Sequence, residues 1–256
     1  MRVAVFAILL LAAGSAAQAA NLSALDDSAL PGRNRYDRCL ELTHRNAQQA
    51  LELARVWQSD RGGPAATHCA ALAMVALKRY PEAARQLDQM GHANIGGAVE
   101  RATLFDQAGN AWLLAHRGGE ATISFSSALA LSPHDPDLLA DRARAAALLG
   151  DWKAADIDLS SALKLDASRA DLLVLRASAR HAIGRTGDAR TDLEAALHIL
   201  PGYPEALLEL GTLKLESGDS KGARADWQRV VSEAPTSDAA AIAQQRLTAF
   251  QPSKAK

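Results

Sequence analysis

The sequence predicts an all-α chain built as a stacked array of helix pairs, and three sets of positions predict it. Ala121, Ala155, Ala189 and Ala223 stand 34 residues apart. Ala128, Ala162, Ala196 and Val230 run in step with them, and so do Pro133, Ala167, Pro201 and Pro235. A fixed period of this length marks a repeat architecture, in which each unit buries its apolar face against its neighbours. The prolines punctuate it, because proline removes an amide donor and clashes with the preceding helical turn.

Taken from the N-terminus, residues 1–19 read as a secretory signal: Arg2, the apolar run Val3–Ala13, then Ala17-Gln18-Ala19 as a small-residue cleavage site. The run is too short to span a membrane. Residues 20–35 lack periodicity and are expected to form a leader. Residues 36–63 carry a helix pair whose apolar face includes Leu40, Leu42, Ala50, Leu53, Ala54 and Trp57, closed by the Asp60–Pro64 turn.

The repeats follow. The unit 102–135 has Phe105, Ala108-Gly109, Trp112, Ala121, Phe125 and Pro133. The unit 136–169 has Leu139, Ala143, Gly150, Trp152, Ala155, Leu159 and Ala162. The unit 170–203 has Leu173, Ala177, Gly184, Ala189, Leu193, Ala196 and Pro201. The unit 204–237 has Leu207, Leu210-Gly211, Gly218, Ala223, Trp227 and Pro235. A divergent unit at 64–97 keeps Ala71, Tyr80, Ala83 and Leu87, lacks the closing proline, and is followed by about four extra residues. This series resembles the tetratricopeptide repeat, a helix–turn–helix unit with a loose W-x2-L-G-x2-Y…A-x3-F…P signature. The resemblance implies a right-handed α-α superhelix of about five repeats, in which the small residues at 109, 143, 177 and 211 let the two helices of a repeat approach. It also implies that Phe105, Trp112, Phe125, Trp152 and Trp227 are packing residues. Residues 238–250 then read as a capping helix, with Ala240, Ile242, Ala243, Leu247 and Phe250 on one face and Gln244, Gln245 and Arg246 on the other. Residues 251–256 are a tail.

Cys39 and Cys69 fall on the first helices of adjacent pairs. In an exported protein an even count favours a bridge between them, with two separately buried thiols as the alternative. Arg142 and Arg176 each precede a small residue, and Asp158 and Asp192 lie 16 residues later, which suggests Arg–Asp bridges within a repeat or from Asp158 to Arg176 in the next.

Composition and motifs exclude several function classes. Loss of residues 1–19 leaves 27 basic and 29 acidic residues, so there is no basic surface for nucleic acid. No later stretch predicts membrane insertion. There is no G-x-S-x-G, phosphate loop or H-E-x-x-H, and neither catalytic residues, a metal site nor a cofactor is expected. Gly62-Gly63 and Gly118-Gly119 are expected to supply positive φ in inter-helix turns.

Function then rests on the inner face that the resemblance assigns to the first helices. Its candidate partner-binding residues are Asp106, Asn110, Asp137, Asp141, Arg144, Asp171, Ser178, His181, Glu205, Glu209, Thr212 and Glu216, with apolar contacts at Leu113, Leu148, Val174 and Leu215. The expected function is a non-catalytic protein–protein interaction scaffold in the periplasm of a Gram-negative bacterium, binding a protein or peptide partner. An assembly factor or chaperone holding extended client segments is the alternative, and an enzyme a distant third.

Overall fold

The computed structural model describes residues 30–249, and among them every regular element is an α-helix. The expected signal at 1–19, the leader as far as residue 29, Phe250 and the tail at 251–256 lie outside the described residues. The chain divides after Leu165 into two compact units.

The first unit holds α1 (Leu30–Arg45), α2 (Ala47–Ser59), α3 (Gly63–Ala76), α4 (Tyr80–His92), α5 (Ala98–Leu114), α6 (Gly118–Leu131), α7 (Pro136–Leu148) and α8 (Trp152–Leu165), each packed on the next. α1 begins at Leu30, inside the expected 20–35 leader. Pro31 does not prevent this, because the first helical turn has no amide partner to lose. Asn46 alone separates α1 from α2, and its side chain accepts the amide of Gln49 at 3.1 Å as an N-cap. Tyr36, Leu51, Ala54, Trp57, Ala66, Ala70 and Ala73 form the buried core of α1–α3, while Leu40, Leu42 and Leu53 are only partly covered. A disulfide joins Cys39 to Cys69 across α1 and α3, with Cα atoms 6.1 Å apart.

The second unit holds α9 (Ala170–Ala182), α10 (Thr186–Ile199), α11 (Pro204–Glu216), α12 (Ser220–Glu233) and α13 (Asp238–Ala249). α13 closes it, burying Ala239, Ala240 and Ala243 against Leu207, Leu208, Trp227 and Val230. Pro201 and Pro235 each stand two residues beyond a helix end, as Pro133 does in the first unit.

Within a repeat the two helices meet through small residues. A side chain at Gly109 would place its Cβ 2.6 Å from Phe125 Cε1, and one at Gly211 would lie 2.5 Å from Trp227 Nε1. Phe105, Trp112, Phe125 and Trp227 are buried. Trp152, expected to pack in the same way, is only half-buried at the first position of α8.

The turn from first to second helix is one geometry used repeatedly. A left-handed residue ends the helix at Lys78 (φ 58°), His116 (56°), Gly150 (77°), Gly184 (82°) and Gly218 (90°). The following amide reaches back to the helix, as from Arg117 to the Trp112 carbonyl (2.9 Å) and from Asp151 to that of Ala146 (2.9 Å), which satisfies carbonyls the helix leaves open. Gly118-Gly119 therefore does not supply the positive φ expected of it, because His116 does. Gly118 instead allows close packing, since a Cβ there would lie 3.0 Å from the Ala145 carbonyl oxygen. Gly63 does adopt φ 62°, whereas Gly62 leaves room for the Trp57 ring.

Partly buried ion pairs, each on a buried aspartate, join the helices of a repeat. Arg142 donates to Asp158 from Nε (2.8 Å) and Nη2 (2.7 Å), and Arg176 does the same to Asp192 (3.0 and 2.7 Å), so the bridges close within the repeat. Arg180 adds a third bond to Asp192 at 2.8 Å. Where Leu210 replaces the arginine, Lys214 from one turn later meets Asp226 at 2.6 Å. In the repeat that lacks both partners, Asp88 of α4 accepts from Trp112 Nε1 (2.8 Å) and Ser124 Oγ (2.7 Å).

Candidate functional site

In the first unit the candidates on α5 and α7 come together. Asn110, one turn after Asp106, donates to its carboxylate at 3.0 Å and to its backbone carbonyl at 3.1 Å. Asp135 caps α7 by accepting the amides of Asp137 (2.9 Å) and Leu138 (3.2 Å), a placement the helix dipole favours. Arg144 pairs with Asp141 from the same helix. Burial, and after it the charges of Asp141, Asp135 and Asp137, push the Asp106 carboxyl up to about 7, against the Asn110 bond. Burial also raises Asp141, although Arg144 opposes it through its charge and its hydrogen bond. Carboxylates crowded into partial burial favour a proton or an incoming cation.

In the second unit the candidates behave differently. Burial works to raise Asp171, but Arg169, two residues earlier, binds both its oxygens at 2.9 and 2.8 Å and holds it below the ordinary carboxylate value. Asp171 is therefore committed to its own helix start. Ser178 turns back to the Val174 carbonyl at 3.2 Å. His181 Nε2 meets the Glu216 carboxylate at 2.7 Å, linking α9 to α11. Burial raises Glu209, while Arg246 and His181 oppose the rise and Glu216 adds to it. Glu205 stands half-buried in the first turn of α11.

Arg246 is the residue the sequence reading missed. From α13 it donates to Thr212 Oγ1 and lies over the Trp227 ring at 5.7 Å. Polarity alone assigns it to the helix face opposite Ala240, Ile242 and Ala243. The available signal was its position 34 residues after Thr212, in step with Asn110, Arg144 and Ser178. α13 thus supplies the residue that the first helix of one more repeat would. Of the apolar contacts expected on this face, Leu113 and Val174 are buried at 5% and 8% exposure, so Leu148 and Leu215 alone remain accessible.

His68, beside Cys69, is part of a closed network. Its Nε2 bonds Gln107 Oε1 at 2.7 Å, and its Nδ1 bonds Tyr36 OH at 2.6 Å. Gln107 Oε1 only accepts, so Nε2 carries the proton and Tyr36 donates to Nδ1. Burial lowers His68 to about 4, against the Gln107 bond, and keeps the ring neutral. Among the described residues, no helix is long and apolar enough to cross a membrane.

Comparison with known proteins agrees with this architecture. The tetratricopeptide repeat profile matches residues 180–247. No curated protein matches the chain in sequence. Similar solved structures include YrrB, described as a TPR protein with an unusual peptide-binding site, at 17% identity and TM-score 0.55, covering 75% of this chain and 96% of that one. A thermophilic TPR protein from Thermus thermophilus is 18% identical with TM-score 0.56, covering 71% and 97%. MamA from Desulfovibrio magneticus RS-1, from residue 41 to its end, is 16% identical with TM-score 0.57, covering 72% and 97%. At these identities the likeness is one of fold. The profile match at 180–247, the periodic left-handed turns and the close glycine contacts agree on one architecture: the chain has the tetratricopeptide repeat fold, and residues 180–247 match the profile of that family.

Proposed function

We propose that this protein is a non-catalytic interaction scaffold of the bacterial periplasm that holds an extended, basic segment of a partner protein on the first helices of its repeats. The observation that carries the reading is the α5–α7 carboxylate cluster, where Asp106 sits half-buried with Asp135, Asp137 and Asp141 acting on it and Arg144 already committed to Asp141. A lysine or arginine entering there relieves repulsion between carboxylates and speeds encounter through charge matching. Export follows from Arg2, the short apolar run and Ala17-Gln18-Ala19, so N-terminal sequencing of the exported protein is expected to begin at Ala20 or Asn21.

The reversals that sequence alone suggests, at Asp141 and Asp171, would break the internal pairs with Arg144 and Arg169. Asp106→Asn combined with Asp137→Asn removes charge and keeps size. Titrated with an extended peptide of alternating lysine and alanine, the wild-type chain is expected to bind more weakly as salt rises, because exposed charge is screened. The double variant is expected to bind about tenfold more weakly, or about 1.4 kcal/mol. Equal affinity for both proteins at low salt would overturn the assignment of this face.

A further inference from the structure

In the second unit α11 packs against both α9 and α13, and one of its faces carries Glu209, Thr212 and Glu216 at helical spacing. Glu216 is already paired, since His181 of α9 meets it at 2.7 Å. Thr212 accepts from Nη1 of Arg246 on α13. Glu209 differs from both. It is partly buried, yet among the described residues its carboxylate takes part in no hydrogen bond or ion pair. Burial raises it, Arg246 and His181 oppose the rise through their charge, and Glu216 adds to it. Arg246 is near enough to act on Glu209 but does not bridge to it. Its guanidinium is held instead over the Trp227 ring, 5.7 Å from the centroid, and on Thr212. Nε and Nη2 of Arg246 are thereby left without an acceptor among the described residues.

An acceptor and a donor left open on adjacent helices select a ligand that carries both. A cation would satisfy Glu209 but meet the positive charge of Arg246. An anion would satisfy Arg246 but meet Glu209 and Glu216. A neutral amide meets neither penalty, because it donates through N–H and accepts through its carbonyl. Glu209 and Arg246 are both partly buried, so the amide has to arrive on a side chain that reaches between the helices. We propose that the α9–α11–α13 face recognises the side-chain carboxamide of a glutamine or asparagine in the partner, its N–H donating to Glu209 and its carbonyl accepting from Arg246. The inference rests on the reading that first helices hold an extended partner segment, but not on the α5–α7 carboxylates. Both new hydrogen bonds have one ionised member, the stronger kind. A side chain that cannot supply both is disfavoured, because it leaves a desolvated polar group unpaired.

The test uses the whole chain, labelled with nitrogen-15, and follows the Nε–H resonance of Arg246 by nuclear magnetic resonance, assigned by its loss in Arg246→Lys. Three capped, extended peptides serve as probes: alternating glutamine and alanine, lysine and alanine, and glycine and alanine. The glutamine peptide is expected to shift the resonance to saturation, with an affinity that changes less than about twofold as salt rises, because the recognised group is neutral. Glu209→Ala is expected to weaken it by about fivefold or more, or about 1 kcal/mol. Circular dichroism of that variant separates a lost contact from a lost fold, and the wild-type titrations decide the question even if it does not fold. An equal shift from the lysine peptide would show that charge and not an amide is recognised. An equal shift from the glycine peptide would show that backbone amides suffice. Either result, or an Arg246 resonance that no peptide moves, would overturn the proposal. Failure of the α5–α7 reading appears separately, in the lysine–alanine titration of the Asp106 and Asp137 variant.

Discussion

Replacing Gly109 by alanine sets two effects of opposite sign against each other. In a helix interior the change gains about 1 kcal/mol, because alanine loses less backbone freedom than glycine. At Gly109 the added Cβ would lie 2.6, 2.7 and 2.8 Å from Cε1, Cζ and Cδ1 of Phe125. Ordinary carbon contacts lie at about 3.5–4.0 Å, so the ring has to retreat by about 1 Å. Phe125 is 0% exposed, so its ring cannot retreat into solvent. Overpacking of this kind costs about 1–3 kcal/mol, and a ring without an exit belongs near the upper end. Gly109→Ala is therefore expected to destabilise by about 1–2 kcal/mol net. The decisive measurement is a double-mutant cycle with Phe125→Leu, followed by urea denaturation and far-ultraviolet circular dichroism. With the ring gone, the same alanine is expected to stabilise by up to about 1 kcal/mol, a change of sign that requires direct contact. The same effect in both backgrounds, or a gain in the wild-type chain, would show that α5 and α6 do not meet at Gly109.

Two further outcomes follow from particular residues. His116 holds a left-handed conformation at the position where later repeats have Gly150, Gly184 and Gly218, so His116→Gly is expected to raise stability by about 0.5–1 kcal/mol in thermal melts; a lower melting temperature would count against the turn geometry. Asp106 titrates near 7 when folded against an ordinary 3.8, so the folded chain binds the extra proton between those values and stability falls as pH rises through that window. Asp106→Asn removes that loss and is expected to gain on the wild type above pH 7, by up to about 4 kcal/mol, while below pH 4 the difference vanishes; a difference independent of pH would refute it.

The repeats were legible because their cause is steric and periodic. A small residue facing a large one every 34 positions leaves few other readings, and the spacing of 16 between Arg142 and Asp158 placed a partly buried bridge correctly. Features decided by conformation or by tertiary reach were not legible. His116 and Lys78 adopt the left-handed turn without glycine because the surrounding helix pair fixes them there, while the glycine pair at 118–119 invited the wrong assignment. Lys214 reaches Asp226 from a position one turn away from the expected partner. Arg169 removes Asp171 from the accessible acids through a contact two residues long, too local for a repeat comparison to reveal. Arg246 was visible in the period but was read by its polarity instead. Local charge pairing, in short, is where a face drawn from sequence spacing departs most from the one the molecule presents.

The bond chain from Tyr36 through His68 to Gln107 ties α1, α3 and α5 together, and the Cys39–Cys69 bridge doubles its first link. In a linear array whose members hold only to their neighbours, the end member opens first and at least cost. Here the end member cannot leave alone. Opening α1 strands the neutral, buried His68 ring without its donor and still leaves the strands of chain joined by a covalent tether. Local melting of this unit is thereby denied its usual starting point, so amide exchange and proteolytic nicking should begin at the interior 93–97 connection instead, where Asn94 and Gly96 carry positive φ and the Arg101 side chain bonds Gly91 and Asn94 across the loop. The irregular loop, and not the terminus, becomes the weak seam of the unit.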